Sequence, residues 1–184
     1  MSVVKGDCLD ELRKIKEETI DLIYLDPPFY TGRTQKQKTR DNKIEYSFED
    51  KWSSVGCYTD YLKERLIECR RVLKTTGTIY LHCDQNASHY LRVIMDEIFS
   101  SENFINEIIW MYKRWSNSKK GLLSNHQNIY FYSKSGDYTF NTIYTDYSPT
   151  TNIDQILQNR TRNEHNKSIY KRDKNGDIVH AKEK

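Results

Sequence analysis

IDLIYLDPPF, residues 20–29, joins an apolar strand pattern to a rigid polar stop. Residues 20–25 are apolar at nearly every position, and near-continuous apolar runs are typical of strands buried on both faces of a parallel sheet. Pro27 and Pro28 end the strand because neither residue can donate a backbone hydrogen bond to a neighbouring strand. The sequence therefore predicts a buried strand whose carboxyl end carries Asp26 and Phe29.

The segment before this strand has its own short pattern. Val3-Val4 predicts a short strand, and it is followed by Gly6 and by Asp7, a residue type that favours the N-cap of a helix. Apolar residues then recur at three-residue spacing, which indicates a helix: Leu9, Leu12 and Ile15.

The segments after residue 57 alternate between helical and strand patterns. Helices are predicted at residues 58–73 and 86–99, with Gly77 near the end of the first, and strands at 78–83, 104–112 and 128–133. The order β-α-β-α-β-α-β-β predicts an α/β fold on a mainly parallel sheet. No helix separates the last two strands, so they are expected to form an antiparallel pair at one edge.

Composition and charge limit the classes of protein. The net charge is only +3, the apolar fraction is 36%, and no run of residues resembles a membrane span or a signal peptide, which predicts a cytoplasmic protein. The histidines lack metal-ligand spacing and no cysteine pair has CxxC spacing, so no metal is expected; the cysteines are Cys8, Cys57, Cys69 and Cys83. Residues 1–147 are predicted to form one domain, whereas residues 148–184 are loop-rich and resemble a tail or the start of another module.

Residues 26–29, named here the DPPF loop, carry the chemistry. Ligands of open α/β sheets bind at the carboxyl ends of strands, where this loop lies. Asp26 offers a carboxylate and Pro27 a carbonyl, both hydrogen-bond acceptors, on a backbone that two prolines stiffen. Phe29 adds a flat apolar ring, so the loop suits a planar group with an NH2, such as a nucleobase. The alternative is a simple turn after a strand, which Asp-Pro pairs often form.

Four segments in a fixed order carry a resemblance to a known family. They are residues 5–10 (KGDCLD), 21–29 (DLIYLDPPF), 77–84 (GTIYLHCD) and 125–134 (NHQNIYFYSK). The chain resembles the prokaryotic DNA adenine-N6 and cytosine-N4 methyltransferases, in the permuted group whose catalytic motif precedes the cofactor motif. The resemblance implies a Rossmann-like sheet, S-adenosylmethionine as cofactor, and methylation of a base flipped out of double-stranded DNA in a nucleoid-associated enzyme.

The resemblance also implies roles for individual residues. Asp26 and the Pro27 carbonyl would bind the amino group, Pro28 would keep the loop rigid, and Phe29 would stack on the base. Asp at the first motif position and Phe at the fourth resemble the adenine-N6 enzymes. The cofactor would lie near three residues that match family positions: Asp7, Cys8 and Asp26.

The glycine-rich cofactor loop of the family has no counterpart in this sequence. Its seven glycines are widely separated. The resemblance then implies an incomplete sheet without its central cofactor strands, with residues 148–184 as the start of the target-recognition region. We therefore expect a truncated or split methyltransferase, whose cofactor half a second polypeptide could supply.

Residues 30–57 are predicted to form a long loop, in which basic residues could hold the phosphate backbone of DNA: Arg33, Lys36, Lys38 and Arg40. The alternative is a solvated loop, and Tyr46, Phe48 and Trp52 would pack it onto the body. A second basic cluster joins the last two strands and is also expected near DNA: Lys113, Arg114 and Lys119. Three interpretations of the function remain open. The chain could be part of an active DNA methyltransferase, an inactive DNA-binding remnant or regulatory partner, or a methyltransferase that acts on RNA or on a protein glutamine.

Overall fold

The computed structural model describes residues 2–113, 120–144, 160–162, 164–165 and 168–177. Contacts divide the chain into two compact units, Met1–Phe140 and Asn141–Lys184. In the first unit the helices are α1 (Cys8–Lys14), α2 (Val55–Val72) and α3 (Ser88–Phe99), followed by a 3₁₀ turn at Ser101–Asn103. Its strands are β1 (Ile20–Leu25), β2 (Arg33–Lys38), β3 (Glu45–Asp50), β4 (Leu73–Cys83), β5 (Phe104–Met111) and β6 (His126–Ser133).

Four strands form the main sheet in the order β1-β4-β6-β5. β1 pairs with β4 in parallel, whereas β6 is antiparallel to both of its neighbours. The prediction of an α/β fold with an antiparallel pair at one edge is confirmed. The expectation of a mainly parallel sheet holds for only one of these three pairings, because α2 is the element that returns the chain for parallel pairing and β5 and β6 have no helix between them.

The core lies on one face of this sheet. α2 and α3 pack against alternate residues of β4 and β6, and the cluster is closed by fully buried side chains that include Leu66, Leu81, Leu91, Phe99 and Tyr132. On the opposite face Tyr80 stacks on Phe131, but several apolar side chains stay exposed: Leu22, Tyr24, Ile108 and Trp110. Since side chains alternate along a strand, the helices of the first unit cover one side of each strand and leave part of the other open.

Local contacts explain the ends of the first helices. Asp7 caps α1 by accepting a hydrogen bond from the Leu9 N–H at 2.9 Å, as the sequence predicts. The Arg71 guanidinium of α2 donates to the carbonyls of Leu12 and Ile15 at the end of α1, both at 3.0 Å. These bonds satisfy carbonyl groups at the carboxyl end of α1, which lack partners within the helix, and they fix α1 against α2.

Three expectations from the sequence are wrong. Val3-Val4 forms no strand and both side chains are exposed, because two apolar residues provide too little surface to pair and bury. Gly77 lies inside β4, which begins directly after α2 at Leu73 rather than at residue 78. Residues 30–57 are not a long loop: β2 and β3 form an antiparallel hairpin there, and α2 begins at Val55.

The second unit contains two short strands, β7 (Arg160–Arg162) and β8 (Ser168–Tyr170), which pair antiparallel. The predicted domain boundary at residue 147 lies outside the described residues, so it stays a prediction. In the part of the chain that the structure describes, no helix is long and apolar enough to cross a membrane.

Candidate active site at the carboxyl end of β1

The DPPF loop follows β1 directly and is hydrogen-bonded to a residue of α2. Tyr58 is fully buried, and its hydroxyl donates a hydrogen bond to the Pro28 carbonyl at 2.8 Å. Burial raises the pKa of Tyr58 well above its usual range, so the hydroxyl keeps the proton that it donates. The Pro27 carbonyl accepts no hydrogen bond from any described residue. The two proline carbonyls therefore differ: one fixes the loop and the other is available to a ligand.

Asp50 fixes the residues that follow the loop. Its carboxylate is buried and accepts hydrogen bonds from the Tyr30 N–H at 3.1 Å, the Thr31 N–H at 2.8 Å and the Thr31 hydroxyl at 2.7 Å. The Trp52 indole N–H donates to the same carboxylate at 2.9 Å. Four donors satisfy the buried charge, and this also ties the end of β3 to the loop.

Asp26 projects from the loop with 62% of its side chain exposed. It lies close to His82 at the end of β4, whose Nδ1 is 3.4 Å from Asp26 Oδ1. His82 also contacts the Tyr24 hydroxyl through Nδ1 and the Gln127 side-chain oxygen through Nε2, both at 3.1 Å. The Phe29 ring meets the His82 ring edge-on at 5.2 Å. The structure thus places the side chains of Asp26 and Phe29 next to the same imidazole.

A cleft of about 720 Å³ opens in front of the loop. The DPPF loop forms one wall, and the β2–β3 hairpin forms the other through Gln35, Lys36, Gln37, Tyr46 and Phe48. All four predicted catalytic residues line it: Asp26, Pro27, Pro28 and Phe29. The arrangement offers two unfilled acceptors beside an aromatic ring, which suits a flat group that carries an NH2.

Of the three predicted cofactor residues, Asp26 lines the cleft, whereas Asp7 and Cys8 do not. Asp7 does not line the cleft, and its carboxylate receives the Arg65 guanidinium at 2.9 and 3.1 Å in addition to the Leu9 N–H. The hydrogen bond from Leu9, followed by the one from Arg65, holds the pKa of Asp7 below its usual range. Cys8 is an exposed free thiol at the start of α1. Asp7 is therefore engaged within the protein, and nothing in these contacts forms a cradle for S-adenosylmethionine.

The predicted basic residues are only partly within the described structure. Lys36 and Lys38 lie on β2, where their ammonium groups are 3.2 and 3.7 Å from the Glu45 carboxylate. Arg33 begins β2, Arg40 follows it, and Lys113 is exposed after β5. Arg114 and Lys119 lie outside the described residues. Among the residues that are described, no group of histidine, cysteine or acidic side chains could hold a metal ion.

Residues 20–182 match the family model described as DNA methylase, which is most of the chain. The chain belongs to the N6/N4 DNA methylase family. The chain is 33% identical over 138 residues to the type II methyltransferase M.KpnI of Klebsiella pneumoniae, covering 73% of this chain and 32% of that protein. It is 32% identical over 142 residues to the DNA adenine methyltransferase YhdJ of Escherichia coli, covering 76% of this chain and 44% of that protein.

The chain thus spans about a third to somewhat under half of the length of these relatives. Among solved structures it is similar to the cytosine-N4-specific PvuII DNA methyltransferase, with 20% identity, a TM-score of 0.49, and coverage of 72% of this chain and 48% of that one. The assignment rests on the family model and the sequence relatives, and the predicted family is confirmed.

The sequence alone did not predict the residues that support the loop. Tyr58, Asp50 and His82 come from α2, β3 and β4, and only the fold shows that they meet at residues 26–31. One signal was available for His82, because it lies at the end of a predicted strand beside the strand of the DPPF loop. Tyr46 and Phe48, expected to pack onto the body, instead line the cleft.

Proposed function

We propose that this chain forms the base-binding part of an S-adenosylmethionine-dependent DNA methyltransferase that methylates an exocyclic amine, with adenine N6 the favoured target. The observation that carries the proposal is the pair of unfilled acceptors, the Asp26 carboxylate and the Pro27 carbonyl, on a rigid loop beside the Phe29 ring. Membership of the DNA methylase family narrows the planar ligand to a DNA base. The relative YhdJ, a DNA adenine methyltransferase, supports adenine over cytosine.

The loop acts on the amine by hydrogen bonding. Asp26 and the Pro27 carbonyl each accept one N–H of the amino group, which draws its nitrogen towards a tetrahedral geometry and frees its lone pair. Phe29 stacks on the base and fixes its plane. When bound, the cofactor supplies a methyl group on a positively charged sulfur. The two acceptors would hold the amino group with its lone pair directed at that methyl group, and the Asp26 carboxylate would accept the proton that the nitrogen loses. Because Tyr58 and Asp50 hold the backbone, the acceptors need little rearrangement when the base arrives.

The cofactor half of the site is proposed to come from residues outside this sequence, on the same or a second polypeptide. The seven glycines are dispersed, and the acceptors of Asp7 are already engaged. In addition, the face of β1 at Leu22 and Tyr24 is exposed, whereas strands in parallel pairing usually have both faces covered. Titration of S-adenosylmethionine into the purified chain tests this point by calorimetry: we expect no measurable heat, and micromolar binding by the chain alone would contradict it.

Asp26→Ala tests the role of the loop. In a methylation-competent protein that contains this chain, we expect methyl transfer to duplex DNA to fall by at least about a hundredfold, since an acceptor that acts on the reacting nitrogen is lost. Asp21→Asn is the matched control, because Asp21 lies on β1, the strand that precedes the loop, and pairs with Lys74 at the surface, 2.6 Å away. Mass spectrometry of the hydrolysed DNA identifies the product. N4-methylcytosine would overturn the choice of adenine, and unchanged methylation by Asp26→Ala would overturn the role of the loop.

A further inference from the structure

The β2–β3 hairpin has two chemically different faces. Its register places Gln35 opposite Phe48 and Gln37 opposite Tyr46, and these four side chains, named here the amide–aromatic face, border the cleft. Strand alternation puts the intervening residues on the other side, where Lys36 and Lys38 pair with Glu45. Lys36 also borders the cleft, but its ammonium group is directed to Glu45.

The amide–aromatic face is open to a ligand. Tyr46 is 59% exposed and Phe48 54% exposed, although both belong to the wall of a cleft. Gln35 donates to the Thr31 hydroxyl at 2.8 Å, whereas the amide of Gln37 makes no hydrogen bond to any described residue. Exposed aromatic rings stack well on nucleobases, and glutamine amides match the donor and acceptor edges of bases, particularly adenine. Phosphates would instead need cations, and the two lysines of β2 lie on the opposite face, where both pair with Glu45. Arg33, at the start of β2, lies in alternation with Gln35 and Gln37 but does not line the cleft.

The cleft is larger than one base requires. Its volume of about 720 Å³ falls within the range of roughly 300–1,000 Å³ for sites that hold drug-sized ligands, and a single nucleobase is smaller than these. The hairpin is also joined to the DPPF loop, because Asp50 at the end of β3 binds Thr31 and lies opposite Arg33 in the register. A strand that placed one base at Asp26 would therefore carry its neighbouring nucleotides past Tyr46 and Gln37.

We propose that the amide–aromatic face binds the bases next to the target base on the same DNA strand, by stacking and amide hydrogen bonds. The inference rests on the proposed function for the DNA ligand. It adds a surface that contacts bases outside the DPPF loop, and it assigns any phosphate binding by Lys36 and Lys38 to the opposite face of the hairpin.

Fluorescence anisotropy with labelled single strands tests the inference on the full chain. One probe carries bases, and a second of equal length has abasic sites in place of its central bases. We expect the chain to prefer the base-bearing strand, and the double variant Gln37→Ala, Tyr46→Ala to lose about tenfold in affinity for that strand only. The salt dependence of DNA binding by this double variant should equal that of the wild-type chain. Tyr46→Phe should retain the affinity, because the ring that stacks remains.

Lys36→Ala, Lys38→Ala is the matched control from the opposite face. If these lysines contact phosphates, the variant should show a shallower slope of log affinity against log salt concentration. The slope should fall by about 0.7 for each lysine removed, and by the same amount with both single-stranded probes. Three results would overturn the inference: no preference of the wild-type chain for the base-bearing probe, equal losses on both probes in the Gln37–Tyr46 variant, or a lost base preference in the lysine variant. Circular dichroism confirms that each variant is folded. Failure of the proposed function is distinct, since it would appear as absent methylation with the base preference intact.

Discussion

His82 lies at the point where Asp26 and Phe29 meet, with its Nδ1 3.4 Å from Asp26 Oδ1 and its ring against the edge of Phe29. Tyr24 and Gln127 hold the imidazole from the neighbouring strands β1 and β6. His82 does not need to touch the base to affect the reaction. It limits the rotation of a carboxylate that has no hydrogen bond to any other described residue.

His82→Ala should therefore slow methyl transfer without weakening DNA binding. We expect kcat to fall by about tenfold, which corresponds to about 1.4 kcal/mol of lost transition-state stabilisation, with KM for DNA nearly unchanged. His89→Ala on the exposed side of α3 is the control and should leave both constants unchanged. A rise in KM at constant kcat would instead show that His82 contributes to binding rather than to the position of Asp26.

Tyr58→Phe removes the hydroxyl that donates to the Pro28 carbonyl. The free energy of unfolding should fall by about 1 kcal/mol, because the carbonyl loses its partner while the ring still fills the core. Urea denaturation measures the change. Tyr61→Phe is the control, since Tyr61 also packs on Trp52 but its hydroxyl makes no hydrogen bond within the described residues. Equal losses in the two variants would show that the bond to Pro28 adds no stability.

Asp84→Asn should stabilise the protein at neutral pH. Burial raises the pKa of Asp84 above its usual value, the charge of Asp50 adds to this, and hydrogen bonds from Asn86 oppose it. The pKa of Asp84 is higher in the folded state than in the unfolded chain. The wild-type protein therefore loses stability as the pH rises from the unfolded-state pKa through the folded-state pKa, whereas the Asp84→Asn variant does not. Asparagine keeps an oxygen that can accept the Asn86 N–H bond.

Thermal melts across pH check this prediction. The melting temperature of Asp84→Asn should exceed that of the wild type at neutral pH, and the difference should vanish below the usual aspartate value of 3.8. Asp173→Asn is the control, because Asp173 accepts the same kind of hydrogen bond, from the Asn175 N–H, in an exposed turn. A difference that is constant with pH would show that the charge of Asp84 is not its cause.

Gly77→Ala should destabilise β4. A Cβ atom at this position would lie 2.9 Å from Leu73 Cδ2, 3.0 Å from the Lys74 oxygen and 3.1 Å from the Ile20 oxygen, so the backbone would have to shift. We expect the free energy of unfolding to fall by about 1–3 kcal/mol. Gly136→Ala, which has no neighbour within 4 Å, is the control for urea denaturation. Similar stabilities of the two variants would mean that β4 tolerates the added methyl group.

The main elements could be predicted because long-range packing and local pattern agree there. β1 was predicted with its observed bounds, and α2 and α3 show the periodicity of their buried faces. The hairpin could not be predicted as readily, because β2 is the polar run Arg-Thr-Gln-Lys-Gln-Lys, which buries little and lacks strand-forming residues apart from Thr34. The alternation of Tyr46, Phe48 and Asp50 was the available signal for β3.

The candidate site could also be predicted only in part from the sequence. The DPPF loop was predictable because its chemistry lies in four consecutive residues. Its supports were not, since Tyr58 and Asp50 lie 30 and 19 residues from the atoms that they bind. Gly77 was expected to end α2, but the close approach of Leu73 and Ile20, which only the sheet creates, accounts for the glycine.

Both supports of the DPPF loop bind mostly main-chain atoms: Tyr58 binds the Pro28 carbonyl, and Asp50 binds the N–H groups of Tyr30 and Thr31. Neither contact depends on which side chains occupy positions 26 and 29. Mutations at those two positions can therefore arise during divergence without disturbing the backbone that presents them. The backbone of the loop can therefore stay the same during divergence while the side chains at positions 26 and 29 change.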